Sequence, residues 1–228
     1  MNKILIVAAH PDDDILGCGG LMAKYSKQKK IRVIFIAEGS SCRFSNLDAG
    51  QEVVRNTIIE RNSFAVSALK SLGVTDVKFY DLPCGRLDTI PIIDINKIIE
   101  NEVRSFNPNI LMTHSEYDTN NDHRIVNRSV MMATRPGVFD TLKKVISFEI
   151  QSSSEWNFND AFLPNVFEEL KGSDLEKKWD ALSCYKSEIQ SYPHPRSYKG
   201  MQTLARYRGM QIGYNLAEAY RIIWSIGV

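Results

Sequence analysis

The feature that most constrains this chain is a rhythm. Over the first two-thirds of its 228 residues, short continuous apolar runs alternate with segments of helical periodicity. Residues 3–9 (KILIVAA) and 31–37 (IRVIFIA) are apolar at nearly every position rather than at every second one. A strand with one face in water alternates, whereas a strand covered on both faces does not. Further strands are predicted at 76–80, 110–113 and 145–150, with helices at 17–29, 52–72, 92–106 and 122–133. Gly73 and Asn107-Pro108 supply stop signals for the second and third helices. Alternation of this kind predicts the α/β class: a Rossmann-like, mostly parallel sheet with helices on both faces.

Beyond residue 150 the rhythm stops. Residues 152–164 read as a long loop and 175–189 as a helix. Residues 191–200 (SYPHPRSYKG) read as a second loop, because two prolines break any regular element. Residues 201–223 read as one helix or two, divided near 209–213. No linker separates this part from the rest. The expectation is a single domain over 1–228, with a C-terminal loop and helix appendage.

Charge and cysteine content narrow the function classes. Lys and Arg number 28 against 27 Asp and Glu, so the net charge is +1. No basic surplus calls for nucleic acid or an anionic membrane. No segment approaches the roughly 18 apolar residues of a membrane span. The apolar run at 4–9 is too short for a signal peptide and ends in an acid cluster. Cys18, Cys42, Cys84 and Cys184 form no C-x-x-C pair and are too sparse for a disulfide scaffold. They are read as reduced thiols in a cytoplasmic protein.

Chemistry concentrates at two predicted strand ends. His10-Pro11-Asp12-Asp13-Asp14 follows the first strand directly, and in open parallel sheets ligands bind beyond the carboxyl ends of the strands. One imidazole and three carboxylates in one turn repel unless a cation neutralises them. A helix dipole accounts for one or two acids there, but not for His10. His10 and Asp13 are spaced to reach one ion, with Asp12 left off it. The segment 113–124 (THSEYDTNNDHR) follows another predicted strand and opens a helix. His123 falls in its first turn, where the dipole keeps an imidazole neutral and able to ligate metal. Two nitrogens and one carboxylate with an open fourth position is the pattern of a catalytic zinc site. Gly17, Gly19 and Gly20 do not make a dinucleotide fingerprint, and close helix–strand packing explains them better.

His10-Pro11-Asp12-Asp13 followed by Asn121-Asp122-His123-Arg124 resembles the PIG-L/LmbE family of zinc-dependent de-N-acetylases. The resemblance extends to Arg61, to Leu82-Pro83-Cys84-Gly85, to Pro193-His194-Pro195-Arg196-Ser197 and to Ala217-Glu218-Ala219. It implies metal ligands His10, Asp13 and His123, with Asp12 as general base. The cofactor it implies is Zn²⁺, with Fe²⁺ or another divalent ion as substitutes. Arg61, Asn120, Arg196 and Cys84 fall at substrate-side positions. The substrate implied is a small acetamido sugar or sugar conjugate, deacetylated by activated water. Homo-oligomers are compatible with it. The alternatives are an amidase for another N-acyl or thiol-conjugate substrate and, from another class, a metal-free nucleotide-binding module.

Three positions depart from the family pattern. Asp14 stands where most members have Glu, Cys84 where Asp is common, and Asn120 where many carry a helper His. His194, in its Pro-His-Pro segment, is the candidate to replace that helper as a second catalytic group. His114 is read as a support for a ligand. Trp156, Phe158 and Phe162 are candidates to stack on a sugar ring, and Trp179 and Trp224 are assigned to helix faces.

Overall fold

The computed structural model describes residues 3–45 and 52–227. Its strands are β1 (Lys3–Ala8), β2 (Lys30–Ala37), β3 (Asp76–Leu82), β4 (Ile110–His114), β5 (Lys144–Phe148), β6 (Val166–Glu169) and β7 (Ala217–Ser225). Its helices are α1 (Asp13–Tyr25), α2 (Glu52–Ser71), α3 (Ile92–Phe106), α4 (Asn121–Ala133), α5 (Gly172–Leu182) and α6 (Tyr198–Met210). The strands form one seven-stranded sheet in the order β3-β2-β1-β4-β5-β7-β6. The first five pair in parallel, as their unbroken apolar runs predict.

The central strand shows why those runs are needed. Ile4, Ile6 and Ala8 of β1 face a core shared with α1, α2 and α5. Leu5, Val7 and Ala9 face a second core shared with α3 and α4. Successive side chains leave a strand on opposite faces, so a strand inside a three-layer sandwich is apolar throughout. The strand order reverses between β1 and β4. From β1 the chain turns to α1 on one face, and from β4 to α4 on the other. A crevice opens between the two departing chains, where such sheets bind ligands.

The C-terminal expectation needs correcting. Residues 201–223 are not all helix: α6 ends at Met210, and the chain then returns as β7. The Tyr214 N–H donates to the Gly209 carbonyl at 2.9 Å, and Gly213 takes a φ of +78° that suits glycine. β7 lies antiparallel to β5, and β6 lies antiparallel to β7. The appendage therefore extends the sheet, and Trp224 sits on a strand rather than a helix. The reason is tertiary: without β7, β5 would present an unpaired edge. Helix boundaries also differ. α6 starts at Tyr198, inside the stretch read as a loop, and α1 runs from Asp13 to Tyr25, so Asp13 and Asp14 fall in its first turn. α5 stops at Leu182, and a short 3₁₀ turn at Lys186–Glu188 follows.

The glycines of α1 serve packing, as expected. A Cβ on Gly17 would lie 2.4 Å from the Phe148 ring of β5, and one on Gly20 would lie 2.5 Å from Leu170. Among the described residues no helix is long and apolar enough to cross a membrane.

Candidate active site

Two connections build the site. After β1 the chain passes His10 and Pro11 and reaches Asp12, whose φ of +115° is rare for a residue with a side chain. Asp13 and Asp14 then open α1. After β4, Asn120 caps α4: its side-chain oxygen accepts the Asp122 N–H at 2.9 Å. That cap places Asp122 and His123 in the first turn, across the crevice from His10.

His10 Nδ1 and His123 Nε2 each lie 3.3 Å from Asp13 Oδ2. Ligands held about 2.0–2.1 Å from a tetrahedral zinc stand roughly 3.3–3.4 Å apart, so the spacing suits a shared cation. Both ring nitrogens of His123 are buried and neither makes a hydrogen bond. The outward nitrogens face carboxylates, with His10 Nε2 2.9 Å from Asp122 and His123 Nδ1 3.1 Å from Asp118. Asp122 hydrogen-bonds the His10 ring and Asp118 stands beside the His123 ring, carboxylates placed as they are behind metal-binding histidines. Asp122 is held by the N–H groups of Gly85 at 2.6 Å and Leu87 at 3.2 Å. Asp118 accepts from Ser153, Ser154 and the Asn120 N–H. The donor set thus fits a divalent ion.

The carboxylates around the two imidazoles favour their charged forms and override the helix dipole expected to keep His123 neutral, so a metal would have to displace those protons. Burial lowers the pKa of His10, but Asp122 and Asp13 outweigh it and raise the value to about 9. Burial likewise opposes protonation of His123, yet Asp13 and Asp118 raise its pKa to about 10. Burial favours the neutral form of Asp13, and His123, His114 and His10 overcome it to hold the carboxyl well below the usual range. Burial, helped by Asp12, pushes Asp14 up to about 8. The cavity carries a negative field that draws positive charge.

His114 has the supporting place expected of it. Its Nε2 accepts the Ala9 N–H at 2.8 Å, and its ring stacks on His123 at 3.9 Å between centroids. Burial brings its pKa down to about 3, so it stays neutral.

Asp12 lies beside His10 and Asp13. Its Oδ2 is 3.1 Å from Arg61 Nη2 and 3.0 Å from Arg196 Nη1. Burial raises its pKa against the pull of both guanidiniums. The same two arginines bind Glu188, at 2.6 and 2.9 Å. Their guanidiniums are therefore placed on Asp12 and Glu188.

The remaining candidates are placed as follows. Asn120 spends its oxygen on the helix cap. Cys84 is buried with its Sγ 3.2 Å from Cys42 Sγ. His194 Nδ1 accepts the Arg196 N–H at 3.1 Å, and its ring meets Trp156 edge-on at 6.1 Å. Trp156 is half-exposed and Phe158 is 90% exposed. Phe162 is buried, so it has no face to offer a sugar. Two residues escaped the sequence reading. Asp118, five positions before His123, sits in a loop with no periodicity to mark it. Glu188 falls in the stretch whose sequence predicts a helix, and only its 3₁₀ turn brings it to the arginines.

Residues 5–134 match the PIG-L family, described as GlcNAc-PI de-N-acetylase. The chain belongs to the PIG-L family. The matched stretch runs from β1 through α4 and contains both strand-end motifs. An uncharacterised Escherichia coli deacetylase, YaiS, is 28% identical over 190 residues, covering 81% of this chain and 90% of that protein. The N,N'-diacetylchitobiose deacetylase of Pyrococcus horikoshii superposes with a TM-score of 0.76 at 18% identity, covering 97% of this chain and 84% of that one. The 4-carboxy-2-hydroxymuconate hydratase GalB of a Pseudomonas superposes at 0.75 with 21% identity, covering 100% and 98%. One PIG-L-like fold thus carries both deacetylation and hydration, so the reaction must be argued from the site.

Proposed function

We propose that this PIG-L protein is a metal-dependent N-deacetylase that hydrolyses the acetamido group of a small amino sugar or sugar conjugate. One observation carries the reading: His10 and His123 each stand 3.3 Å from Asp13, and each imidazole has its own carboxylate beside it. A divalent ion held by these three, most simply Zn²⁺, would lower the pKa of a coordinated water and polarise the acyl carbonyl.

The chain's own residues supply the rest. Asp12 is the general base. Burial raises its basicity, while Arg61 and Arg196 hold the carboxylate in place through Oδ2 and leave Oδ1 for the proton. Asp122 and Asp118 orient the two ligand imidazoles. His114 supports the His123 ring. His194, with Nδ1 committed to the Arg196 N–H, presents Nε2–H as the donor for the developing oxyanion or the leaving amine. Trp156, against the same imidazole, offers an exposed ring for the sugar.

The test combines metal analysis with an assay for free amine and acetate over a panel of acetamido sugars. About one divalent ion per chain is expected, with activity lost on chelation and restored by zinc. Full turnover in metal-free protein would overturn the reading. His194→Ala should lower kcat by ~10²-fold or more with metal content unchanged; a normal rate would remove His194 from the mechanism.

A further inference from the structure

Cys42 and Cys84 lie 42 positions apart in the chain, yet their Sγ atoms are 3.2 Å apart, and both are free thiols. They come from separate turns, Cys42 from the 3₁₀ turn Ser41–Arg43 after β2 and Cys84 from the turn after β3. One carboxylate ties the two turns together: Glu38 accepts the N–H groups of Ser41 and of Cys84. Cys42 is exposed and Cys84 is buried. Hydrogen bonding from Cys84 brings the Cys42 thiol down to about 6, against the opposing effect of burial. An accessible thiolate beside a buried second thiol is the arrangement found in oxidation-sensitive cysteine pairs.

The pair also abuts the metal site. Gly85 follows Cys84 directly, and a Cβ on it would meet the Cys42 Cβ at 3.1 Å. The Gly85 N–H donates to Asp122 Oδ2 at 2.6 Å, and that oxygen lies 2.9 Å from His10 Nε2. One turn therefore touches a cysteine on one side and the carboxylate that orients a ligand on the other. A disulfide needs its sulfurs at ~2.05 Å, so closing the pair draws the two Sγ atoms, and with them their turns, closer from 3.2 Å.

We propose that Cys42 and Cys84 are a peroxide-oxidised pair whose closure into a disulfide displaces the Gly85 amide from Asp122 and weakens the metal site. The proposal rests on His10, Asp13 and His123 holding a metal. The Cys42 thiolate attacks one oxygen of hydrogen peroxide. The O–O bond breaks, hydroxide leaves and is protonated to water, and Cys42 becomes a sulfenic acid. Cys84 Sγ then attacks the Cys42 sulfur. The S–O bond breaks, and the hydroxyl leaves as water with the Cys84 proton. The two sulfurs lose two electrons, and the peroxide gains them. Of the other thiols, Cys18 is wholly buried, and Cys184 lies on α5's exit against the Asp180 carbonyl.

The experiment treats the reduced full-length chain with limiting hydrogen peroxide, then maps tryptic peptides and titrates zinc against a chromophoric chelator. Expected is a crosslink between the peptides 33–43 and 79–86, two hydrogens lighter than their sum and reversed by dithiothreitol. The crosslinked protein should bind zinc at least ~10-fold more weakly than the reduced protein, the size of effect seen when a ligand's carboxylate partner is disturbed. Cys42→Ser should bind zinc as the reduced wild type does, with peroxide changing nothing. Three results would overturn the proposal: no 42–84 crosslink, a crosslink with unchanged zinc affinity, or an equal loss in oxidised Cys42→Ser. Weaker zinc binding by reduced Cys42→Ser would also overturn it, by making Cys42 a ligand. Failure of the reduced wild type to bind zinc at all would count instead against the metal reading.

Discussion

Three adjacent acids, Asp12, Asp13 and Asp14, take three different states because their neighbours differ. Asp13 meets imidazoles and stays ionised, Asp12 meets two guanidiniums, and Asp14 meets neither and is pushed up to about 8. Asp12→Asn should therefore keep the metal and lose ~10²–10⁴-fold in turnover. Metal content and initial rate, measured on the same sample, check this; loss of metal in step with rate would make Asp12 a ligand. Asp122 acts one bond further out. Asp122→Asn removes the charge that holds His10 Nε2–H, so zinc affinity should fall ~10–100-fold with the fold intact. Competitive zinc titration beside far-UV circular dichroism separates that outcome from unfolding.

At the scale of elements, a buried ion pair pins α1 in place. Lys178 of α5 donates to the Leu16 carbonyl and to Glu218 of β7, both at 2.7 Å. Glu218 in turn accepts the N–H groups of Gly20 and Leu21, at 2.8 and 2.7 Å. Two elements, α5 and β7, thus meet on the helix whose first turn carries Asp13. Lys178→Met leaves the Glu218 charge buried without its cation. Removing one partner of such a pair costs about 3–5 kcal/mol. The expected result is a lower urea midpoint with an unchanged m value, and the same midpoint as wild type would contradict it.

Across the whole molecule, Glu188 gathers arginines from distant parts of the chain: Arg43, Arg61 and Arg196. Burial raises its pKa, but Arg61, with Arg43, prevails and holds it down to about 2. An unfolded glutamate titrates near ~4.3. A carboxyl whose pKa is lower in the folded state stabilises the fold above the unfolded value, and that contribution is lost as pH falls. The wild type should therefore lose stability as pH drops from about 4.3 toward about 2. Glu188→Gln should be less stable at neutral pH, with the gap to wild type closing in acid. Urea unfolding across that range tests it, and a gap that stays constant with pH would refute it.

The sequence alone determined the parallel half of the sheet and the two motifs at its switch point. Apolar runs such as ILIVAA have one physical meaning in a chain of this size, burial on both faces, and a metal motif needs its ligands only a few residues from a strand end. The convergence of His10, Asp13 and His123 was legible for that reason, and so was the place of His114 beside them. The tertiary structure decided what depends on distant partners. The segment 217–223 carries apolar and aromatic residues that suit a helix or a strand, and the open edge of β5 settled it as a strand. Arg61 and Arg196 read as groups for a substrate, but Asp12 and Glu188 compete for the same charges, and only the fold brings the four together. Asp118, Glu188 and the Cys42–Cys84 pair had no local signal, because a loop carboxylate or thiol acquires its role from what the chain folds against it, not from its neighbours in sequence.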